Sequence, residues 1–265
     1  MSLPDMSPRP NFTVTLVSAR SGKDYPLHRA RLVCGNTMDA FVPSIAGEAF
    51  HVKLARSKEV HSADPLCFKV WVDGRYMQGY AVSPLSDSAV MEGVYDSVGV
   101  RPFVFSNIET TEDDDEGHEL DVSKLGLIEI RVWRAIVTRD GEQPDQGYYK
   151  NVQRHLGPVP KKLDKVGWHG VSLGDYRPHN GLFRTHSAYI DSPSTPYATF
   201  RFHYRPLDIL LKDRVLAHMD DPLAQSYPLS RKRDRSEDEG IHSDAGVMTP
   251  GREKRSKYDH DSEML

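Results

Sequence analysis

The sequence predicts a mainly β fold: an antiparallel β-sandwich of roughly eight strands, closed by a short C-terminal α-helix and followed by a disordered tail. Three observations predict this fold. Apolar residues recur at every second position in short runs, which places alternate side chains on one face of a strand. Turn-rich segments, rather than long amphipathic helices, separate these runs. The composition changes sharply near Ser230, where apolar residues become scarce.

The predicted strands all lie between residues 10 and 210. Asp73-Gly74 ends the third of them, and this pair suits the positive φ angles of a tight hairpin. Asp140-Gly141 follows the longest run and predicts a second turn. The strands are predicted at Phe12 to Leu16, Phe50 to Leu54, Phe68 to Val72, Tyr76 to Val82, Val90 to Tyr95, Pro102 to Ile108, Gly126 to Val137 and Ala198 to Tyr204.

One segment has helical spacing. The run from Pro206 to Leu216 has a proline in its first turn and a single stripe of apolar side chains, which indicates a helix with one buried side. This helix would close a β-sandwich domain spanning about residues 11–220, after a flexible N-terminus at residues 1–10. A polar stretch rich in proline and glycine, at about residues 142–196, is interpreted as a loop-rich insertion.

The C-terminal segment has the composition of a disordered tail. Residues 230–265 contain eight Lys or Arg, nine Asp or Glu, and neither Phe nor Trp. Such a segment buries too little apolar area to offset the entropy of ordering it. We therefore predict a disordered charged tail at residues 221–265. The rest of the chain keeps 26 basic and 29 acidic residues, so the folded part is mildly acidic.

Composition also limits the compartment and the cofactors. No stretch approaches the roughly 20 apolar residues of a membrane span, and the first ten residues lack the basic and apolar regions of a secretory signal. The cysteines, Cys34 and Cys67, are too few for a disulfide framework or a four-thiolate zinc site. We expect an intracellular protein without membrane association, metal or other cofactor.

Three stretches occur in a specific order and spacing. They are Phe41-Val42-Pro43-Ser44 before Ala46 to Phe50, then Val72-Asp73-Gly74 before Val100 to Phe105 and Gly126 to Ile130, and finally Phe200-Arg201-Phe202-His203-Tyr204-Arg205-Pro206-Leu207-Asp208. Over about residues 11–217 the chain resembles an uncharacterised domain-of-unknown-function family widespread in fungi. The resemblance implies a β-rich domain with a charged C-terminal extension, and it implies no activity, ligand or catalytic residue. It is weakest at about residues 142–196.

Gly170 to Gly174 fits the pattern G-x-S-x-G, the nucleophile elbow of α/β-hydrolases. In that reading Ser172 is the nucleophile, and a nearby histidine, His169 or His186, is its partner. An elbow requires a buried apolar strand before the serine and a helix after it, and the flanking sequence has neither pattern. We therefore favour a glycine-rich turn and keep a serine hydrolase as the alternative.

Two further clusters, one of histidines and one of carboxylates, lack the spacing of a metal site. His155, His169, His179 and His186 are separated by 14, 10 and 7 residues, which matches no usual zinc spacing, so they are interpreted as loop or surface histidines. Glu112 to Glu116 forms a run of five carboxylates without the spacing of a calcium loop. We interpret this run as a solvated acidic loop, with docking of a basic partner as the alternative.

The tail carries two basic clusters of the kind that nuclear-import receptors bind as extended peptides. The candidate residues are Lys232, Arg233, Arg235, Lys254, Arg255 and Lys257. Ser236 precedes three acidic residues, as in acidophilic kinase sites, and Thr249 precedes a proline, as in proline-directed sites. Phosphate at Ser236 would partly neutralise the first cluster. Nucleic acid is the less favoured partner of this tail, because Glu237-Asp238-Glu239 offsets its positive charge.

The aromatic residues on the predicted strands complete the functional prediction. Trp71, Trp133 and Phe202 are interpreted as core residues; if the two tryptophans instead share the outward face of one sheet, they would mark a binding patch. The sequence contains no coherent catalytic constellation. It therefore predicts a non-catalytic nuclear protein-interaction module that binds a protein partner and an import receptor. The alternatives are the serine hydrolase and a weak, non-specific nucleic-acid-associated protein that uses the basic tail.

Overall fold

The computed structural model describes seven segments of the chain. The chain divides into two units, Met1–Leu229 and Ser230–Leu265, and every described residue belongs to the first. The predictions for the N-terminus, for the Asp140-Gly141 turn and for the tail fall outside the described residues. The described segments are residues 12–56, 64–96, 99–112, 121–139, 159–160, 167–179 and 185–216.

The fold is mainly β, as the alternating pattern predicts. A short 3-10 helix at Val122–Lys124 and one α-helix, α1 (Leu207–Lys212), accompany the strands in the described segments. The strands are β1 (Phe12–Ser18), β2 (His28–Cys34), β3 (Thr37–Ser44), β4 (Ala49–Arg56), β5 (Leu66–Val72), β6 (Arg75–Val82), β7 (Ser88–Met91), β8 (Gly93–Tyr95), β9 (Val100–Asn107), β10 (Thr110–Thr111), β11 (Leu127–Arg139), β12 (Val159–Pro160), β13 (His169–Leu173), β14 (Thr185–Tyr189) and β15 (Ala198–Pro206).

These strands form two large sheets and one small sheet. The six-stranded sheet has the order β1-β4-β9-β13, with β7 paired to β4 and β8 paired to β9. The seven-stranded sheet has the order β2-β3-β15-β11-β5-β6, with β14 paired to the C-terminal part of β11. The small sheet pairs β10 with β12. The long strand β11 therefore lies centrally in the larger sheet, between β15 and β5.

One hydrophobic cluster joins the two large sheets. It takes alternate side chains from each central strand, and the positions between them face away from it. Phe202, which the sequence predicts to be a core residue, is fully buried in this cluster. The cluster includes Phe50, Val52, Leu54, Phe103 and Phe105 from the six-stranded sheet, and Phe68, Val70, Val72, Ile128, Ile130, Val132, Phe200 and Tyr204 from the seven-stranded sheet.

All the predicted strands are present, but the structure contains more strands than the eight or so that the sequence predicts. The predicted strand at Val90 to Tyr95 is interrupted at Glu92 and becomes β7 and β8. The strand β2 was missed because it lies at a sheet edge and shifts register twice against β3, so its apolar residues do not alternate. The purely antiparallel arrangement is also wrong, since β3 and β15 pair in parallel.

The described parts of the 142–196 stretch are not simply loop. The strand β13 pairs with β9, and β14 pairs with β11, so this stretch contributes a strand to each large sheet. Both strands are short and rich in polar residues, with sequences HGVSL and THSAY. Short edge strands of this composition lack the alternation by which a strand is recognised in a sequence.

Two local predictions are confirmed. Asp73 and Gly74 have φ angles of +51° and +78°, which forms the tight hairpin between β5 and β6. The helix α1 begins immediately after Pro206 and buries Leu210, although it ends at Lys212, earlier than its apolar stripe predicts. Arg214 then adopts a φ of +54°, which ends the helical conformation. No helix in the described segments has the length and hydropathy of a membrane span.

Candidate functional site

The G-x-S-x-G pentapeptide lies on a strand. Its residues belong to β13 and the position after it, and Ser172 lies opposite Val104 of β9 in an antiparallel ladder. The predicted glycine-rich turn is therefore absent, and so is the strand-to-helix turn that a nucleophile elbow requires. His169 and Ser172 are three positions apart on this strand, so their side chains leave it on opposite faces.

His169 has a different hydroxyl partner. Its Nδ1 lies 2.8 Å from the Oγ of Ser44, and both side chains are buried. Burial lowers the pKa of His169, and the nearby Asp208 carboxylate partly opposes this effect. Because Ser44 belongs to the seven-stranded sheet and His169 to the six-stranded sheet, this hydrogen bond links the sheets. His186 lies on β14 opposite Thr138, and its side chain is outside the described part of the structure.

A second buried link between the sheets centres on Asp73. Its Oδ1 accepts hydrogen bonds from the Tyr204 hydroxyl at 2.6 Å and from the Gly126 N–H at 2.7 Å, and its Oδ2 accepts one from the Val171 N–H at 3.2 Å. Asp73 is only 1% exposed. Burial raises the pKa of Asp73, and the three hydrogen bonds oppose this rise. Burial and the adjacent Asp73 carboxylate also raise the pKa of Tyr204.

Arg205 completes this cluster. Its Nη1 donates to the backbone oxygens of Gly126 at 2.7 Å and Tyr204 at 2.6 Å, and its guanidinium stacks 3.5 Å from the ring centre of Trp168. Burial lowers the pKa of Arg205 to about 10. We refer to Asp73, Gly126, Trp168, Tyr204 and Arg205 as the Asp73 cluster. Its polar groups are enclosed and bonded to one another, which is the arrangement of a structural link.

The two tryptophans of the central strands lie on the outward face of the seven-stranded sheet. Val70 and Val72 point into the core, so Trp71 between them points outward, where it is half-buried. Trp133 follows the core residue Val132 and is 3% exposed on this same outward face. The two indole rings lie 6.4 Å apart. Burial of Trp133 agrees with the core prediction, whereas Trp71 is half-buried, and both lie outside the cluster between the sheets. The two tryptophans share one outward face, which is the alternative that the sequence left open.

Cationic side chains lie against these rings. The Arg131 guanidinium is 4.6 Å from the centre of the Trp71 ring. The Lys69 ammonium lies 5.1 Å from the ring centre of Tyr189, 5.6 Å from that of Trp133 and 6.0 Å from that of Tyr76. Contacts of this kind stabilise a cation on the face of an aromatic ring. We call Lys69, Trp71, Tyr76, Arg131, Trp133 and Tyr189 the aromatic–cation face.

Carboxylates hold Arg131 of this face and the loop beside Trp133. Glu129 accepts hydrogen bonds from Arg131 at 2.7 Å and from Arg201 at 2.9 Å. Burial alone would raise the pKa of Glu129, but the hydrogen bonds from Arg201 and Arg131 outweigh it and the pKa is lowered. Asp191 binds the guanidinium of Arg134 through Nε and Nη2, which fixes the loop after β14 against β11.

The face follows from a pattern that is visible in the sequence. The residues Lys69 and Trp71, like Arg131 and Trp133, alternate with apolar residues that enter the core. This alternation indicates that polar and aromatic side chains share one side of a sheet. The usual burial of large aromatic side chains favours the core for these tryptophans, whereas the cations two positions before them favour the outward face.

The other predicted site residues are the histidines, the acidic run and the tail residues, and several of them lie outside the described segments. Within the described segments, no group of three or more His, Cys, Asp or Glu side chains is placed to hold a metal ion. His179 contacts the ring of Tyr95 at 4.7 Å, whereas His155 lies outside these segments, as does the acidic run after Glu112. The basic clusters of the tail, Ser236 and Thr249 also lie outside them, so nuclear import and phosphorylation stay predictions.

Comparison with known proteins identifies a family but no described activity. No curated protein and no solved structure is significantly similar to this chain. Residues 23–216 match the model of the family described as Domain of unknown function (DUF7918). This match runs from the segment before β2 to the end of the turn after α1, so it includes both the Asp73 cluster and the aromatic–cation face. The chain therefore belongs to this family of β-rich domains of unknown function.

Proposed function

We propose that this chain is a non-catalytic β-sandwich module that binds a protein partner in the nucleus through its aromatic–cation face. The observation that carries the proposal is the shared outward position of Trp71 and Trp133, with tyrosines and cations around them. Tyr, Trp and Arg are the residue types that are enriched in protein interfaces and dominate their binding energy.

The position of this face suits recognition. It spans β6, β5, β11 and β14, which pair with one another in that order, with one register shift between β5 and β6 at Trp71. Side chains on such a scaffold lose little conformational freedom when a partner binds. Tyr76, at the edge of the face, is 44% exposed and offers a large amphipathic surface. The face therefore combines rigid aromatic groups with accessible charge.

The geometry of the candidate nucleophiles favours a binding role over hydrolysis. Ser172 lies in a strand, and the histidine nearest to it in sequence points to the opposite face. The Ser44–His169 pair has hydrogen-bonding geometry, but both groups are buried between elements of the two sheets. Among the described residues, Ser172 has no histidine partner, and the Ser44–His169 pair is buried.

The nuclear localisation in this proposal rests on the basic clusters of the tail. Lys232, Arg233 and Arg235 form one predicted import signal, and Lys254, Arg255 and Lys257 form the second. Phosphorylation at Ser236 or Thr249 would place negative charge near these signals and weaken binding to the acidic pockets of an import receptor. The tail would thus address the module, while the domain selects the partner.

Proximity labelling with mass spectrometry tests the binding face. Two tyrosines of similar exposure provide a matched pair, since Tyr76 is 44% exposed on the aromatic–cation face and Tyr176 is 48% exposed next to Asp96 and Arg101. We expect Tyr76→Ala and Trp71→Ala to reduce labelling of the main partners about tenfold, as loss of an interface anchor does. Tyr176→Ala should leave the partner list unchanged. Unchanged partners in the first two variants would contradict the proposal.

Nuclear import through the tail is tested separately. Replacing all six basic residues of the two clusters by alanine should move the full chain from the nucleus to the cytoplasm, while the partners captured from lysate stay the same. A Ser236→Asp variant should be partly excluded from the nucleus. If the six-fold variant remains nuclear, the import prediction is wrong, and the binding proposal is judged on the tyrosine pair alone.

A further inference from the structure

We infer that the partner segment bound by the aromatic–cation face is an extended acidic peptide, whose carboxylates contact Lys69 and the neighbouring arginines. This inference rests on the proposed function, since it specifies the chemistry of the partner that the same face binds. It is carried by the charges of the face, by the way Lys69 is held, and by the occupied faces of the aromatic rings.

Two positive charges lie opposite each other on this face. Lys69 and Arg131 are direct partners in the ladder between β5 and β11. Directly opposed like charges destabilise a sheet, so this pair is costly unless an anion neutralises it. Glu129 is already shared by Arg131 and Arg201. Among the described residues, Lys69 has aromatic contacts but forms no ion pair with a carboxylate.

The surroundings of Lys69 hold its side chain in a position suited to binding an anion. Three rings, those of Tyr76, Trp133 and Tyr189, surround its ammonium group, which restricts a side chain that is otherwise flexible. Gly79 lies opposite Lys69 in the ladder, and a Cβ at this position would be only 3.2 Å from the Lys69 Cγ. The glycine leaves room for the lysine chain. A cation positioned in this way loses little further entropy when a carboxylate binds it.

The occupied aromatic rings favour an acidic peptide over single-stranded nucleic acid as the partner of this face. Nucleic acid is bound on such faces by stacking of bases on open aromatic rings. Here Arg131 covers the Trp71 ring and Lys69 lies against Trp133, whose indole N–H donates to the Ser192 oxygen at 3.2 Å. Trp71 lies directly opposite Glu129 in the ladder, and this carboxylate would repel a continuous line of phosphates. Isolated carboxylates on an extended peptide avoid this repulsion.

Fluorescence anisotropy with defined peptides tests this inference on the full chain. The probe is a fluorescein-labelled peptide of alternating glutamate and glycine, and its control is the same peptide with glutamine in place of glutamate. The matched protein variants are Lys69→Gln on the aromatic–cation face and Lys53→Gln in the middle of β4 in the other large sheet. Since both variants keep the basic tail, the difference between them reports on the face alone.

We expect Lys69→Gln to weaken binding of the glutamate peptide about tenfold, and Lys53→Gln to leave it unchanged. The glutamine peptide should show no binding that depends on Lys69. Equal affinities of the two lysine variants for the glutamate peptide would overturn the inference. Tighter, Lys69-dependent binding of single-stranded oligothymidine would overturn it too, in favour of nucleic acid.

The result also separates this inference from the proposal beneath it. If the glutamate peptide shows no Lys69-dependent binding but Tyr76→Ala still abolishes partner labelling, the face is a binding surface and only its partner chemistry is wrong. If neither effect is seen, the proposed function fails together with the inference.

Discussion

The Asp73 cluster and the aromatic–cation face are built from the same kinds of groups but in opposite environments. Each combines an arginine, a tryptophan ring and a tyrosine, with a carboxylate in the Asp73 cluster itself and Glu129 beside Arg131 of the face. In the cluster, the carboxylate is 1% exposed and accepts three hydrogen bonds. On the face, the Arg131 side chain is 39% exposed and Lys69 has aromatic contacts in place of an ion pair.

The difference in exposure implies that the buried groups contribute to the free energy of folding and the exposed groups to the free energy of binding. A buried carboxylate that loses its position leaves several enclosed donors without partners, which is expensive in a low-dielectric interior. An exposed cation can exchange its partner for water at little cost. We therefore expect variants of the cluster to change folding stability, and variants of the face to change binding. The predictions below test this contrast, from the largest expected effect on stability to the smallest.

The largest effect is expected for Asp73→Ala. It removes the acceptor of Tyr204, Gly126 and Val171 and leaves these donors buried, so the free energy of unfolding should fall by about 3–5 kcal/mol. Urea denaturation followed by circular dichroism measures this change. The exposed Asp87 provides the control, because Asp87→Ala should change stability by less than about 0.5 kcal/mol. Similar losses in both variants would show that the cluster is not a structural link.

The next effect is expected for Gly126→Ala. Gly126 has a φ of +71°, and a Cβ at this position would overlap the Arg205 guanidinium. The substitution should lower the free energy of unfolding by about 2–4 kcal/mol, through backbone strain and displacement of Arg205. Gly22 also has a positive φ, of +67°, but has open space around it, so Gly22→Ala measures the strain alone. A smaller loss at Gly126 than at Gly22 would contradict the packing argument.

A moderate effect is expected on acidification, through the link formed by His169. Burial lowers the pKa of this residue in the folded state, so the unfolded chain binds the proton at higher pH than the folded protein does. Stability should thus be complete above the unfolded pKa of about 6.5 and be lost as the pH falls through the folded pKa, by up to about 1.4 kcal/mol per pH unit. His169→Gln should reduce this slope, which urea denaturation at a series of pH values measures. An unaltered slope in His169→Gln would assign the acid sensitivity to other groups.

The smallest effect on stability is expected for Lys69→Gln, the same variant that should weaken binding of the glutamate peptide. Removing one of two opposed cations relieves repulsion and sacrifices contacts with the rings, so the net change should lie within about 0.5 kcal/mol. Denaturation in urea at neutral pH checks this value. A loss as large as that of Asp73→Ala would mean that the face is structural, and the contrast between the two regions would disappear.

Local features of the fold could be predicted from the sequence. The runs around Phe50, Phe68 and Phe200 alternate strictly because both large sheets bury one face in a common core. Asp73-Gly74 forms the predicted hairpin because few other residue pairs accept positive φ at two successive positions. Pro206 predicts the start of α1, which begins at the next residue with Pro206 as its N-cap, a position whose own N–H makes no bond within the helix.

The candidate sites depended on contacts between residues distant in sequence. Nothing near Asp73 indicates that Gly126, Val171 and Tyr204 would donate to it, because these residues are 53, 98 and 131 positions away. The glycines around Ser172 predict a turn, because glycine is common in turns. This segment, β13, is a strand because it pairs with β9 along its whole length.

What the sequence by itself determined is the side of each strand on which a residue lies. A period of two places Trp71 opposite to Val70 and Val72, whatever the rest of the chain does. Only the tertiary structure decided which side meets the core and which neighbours meet on the other side. The pairing of β5 with β11 brings Trp71, Trp133, Lys69 and Arg131 together. The physical reason is that alternation is a property of the local backbone, whereas strand register and sheet packing result from burying all apolar faces at once.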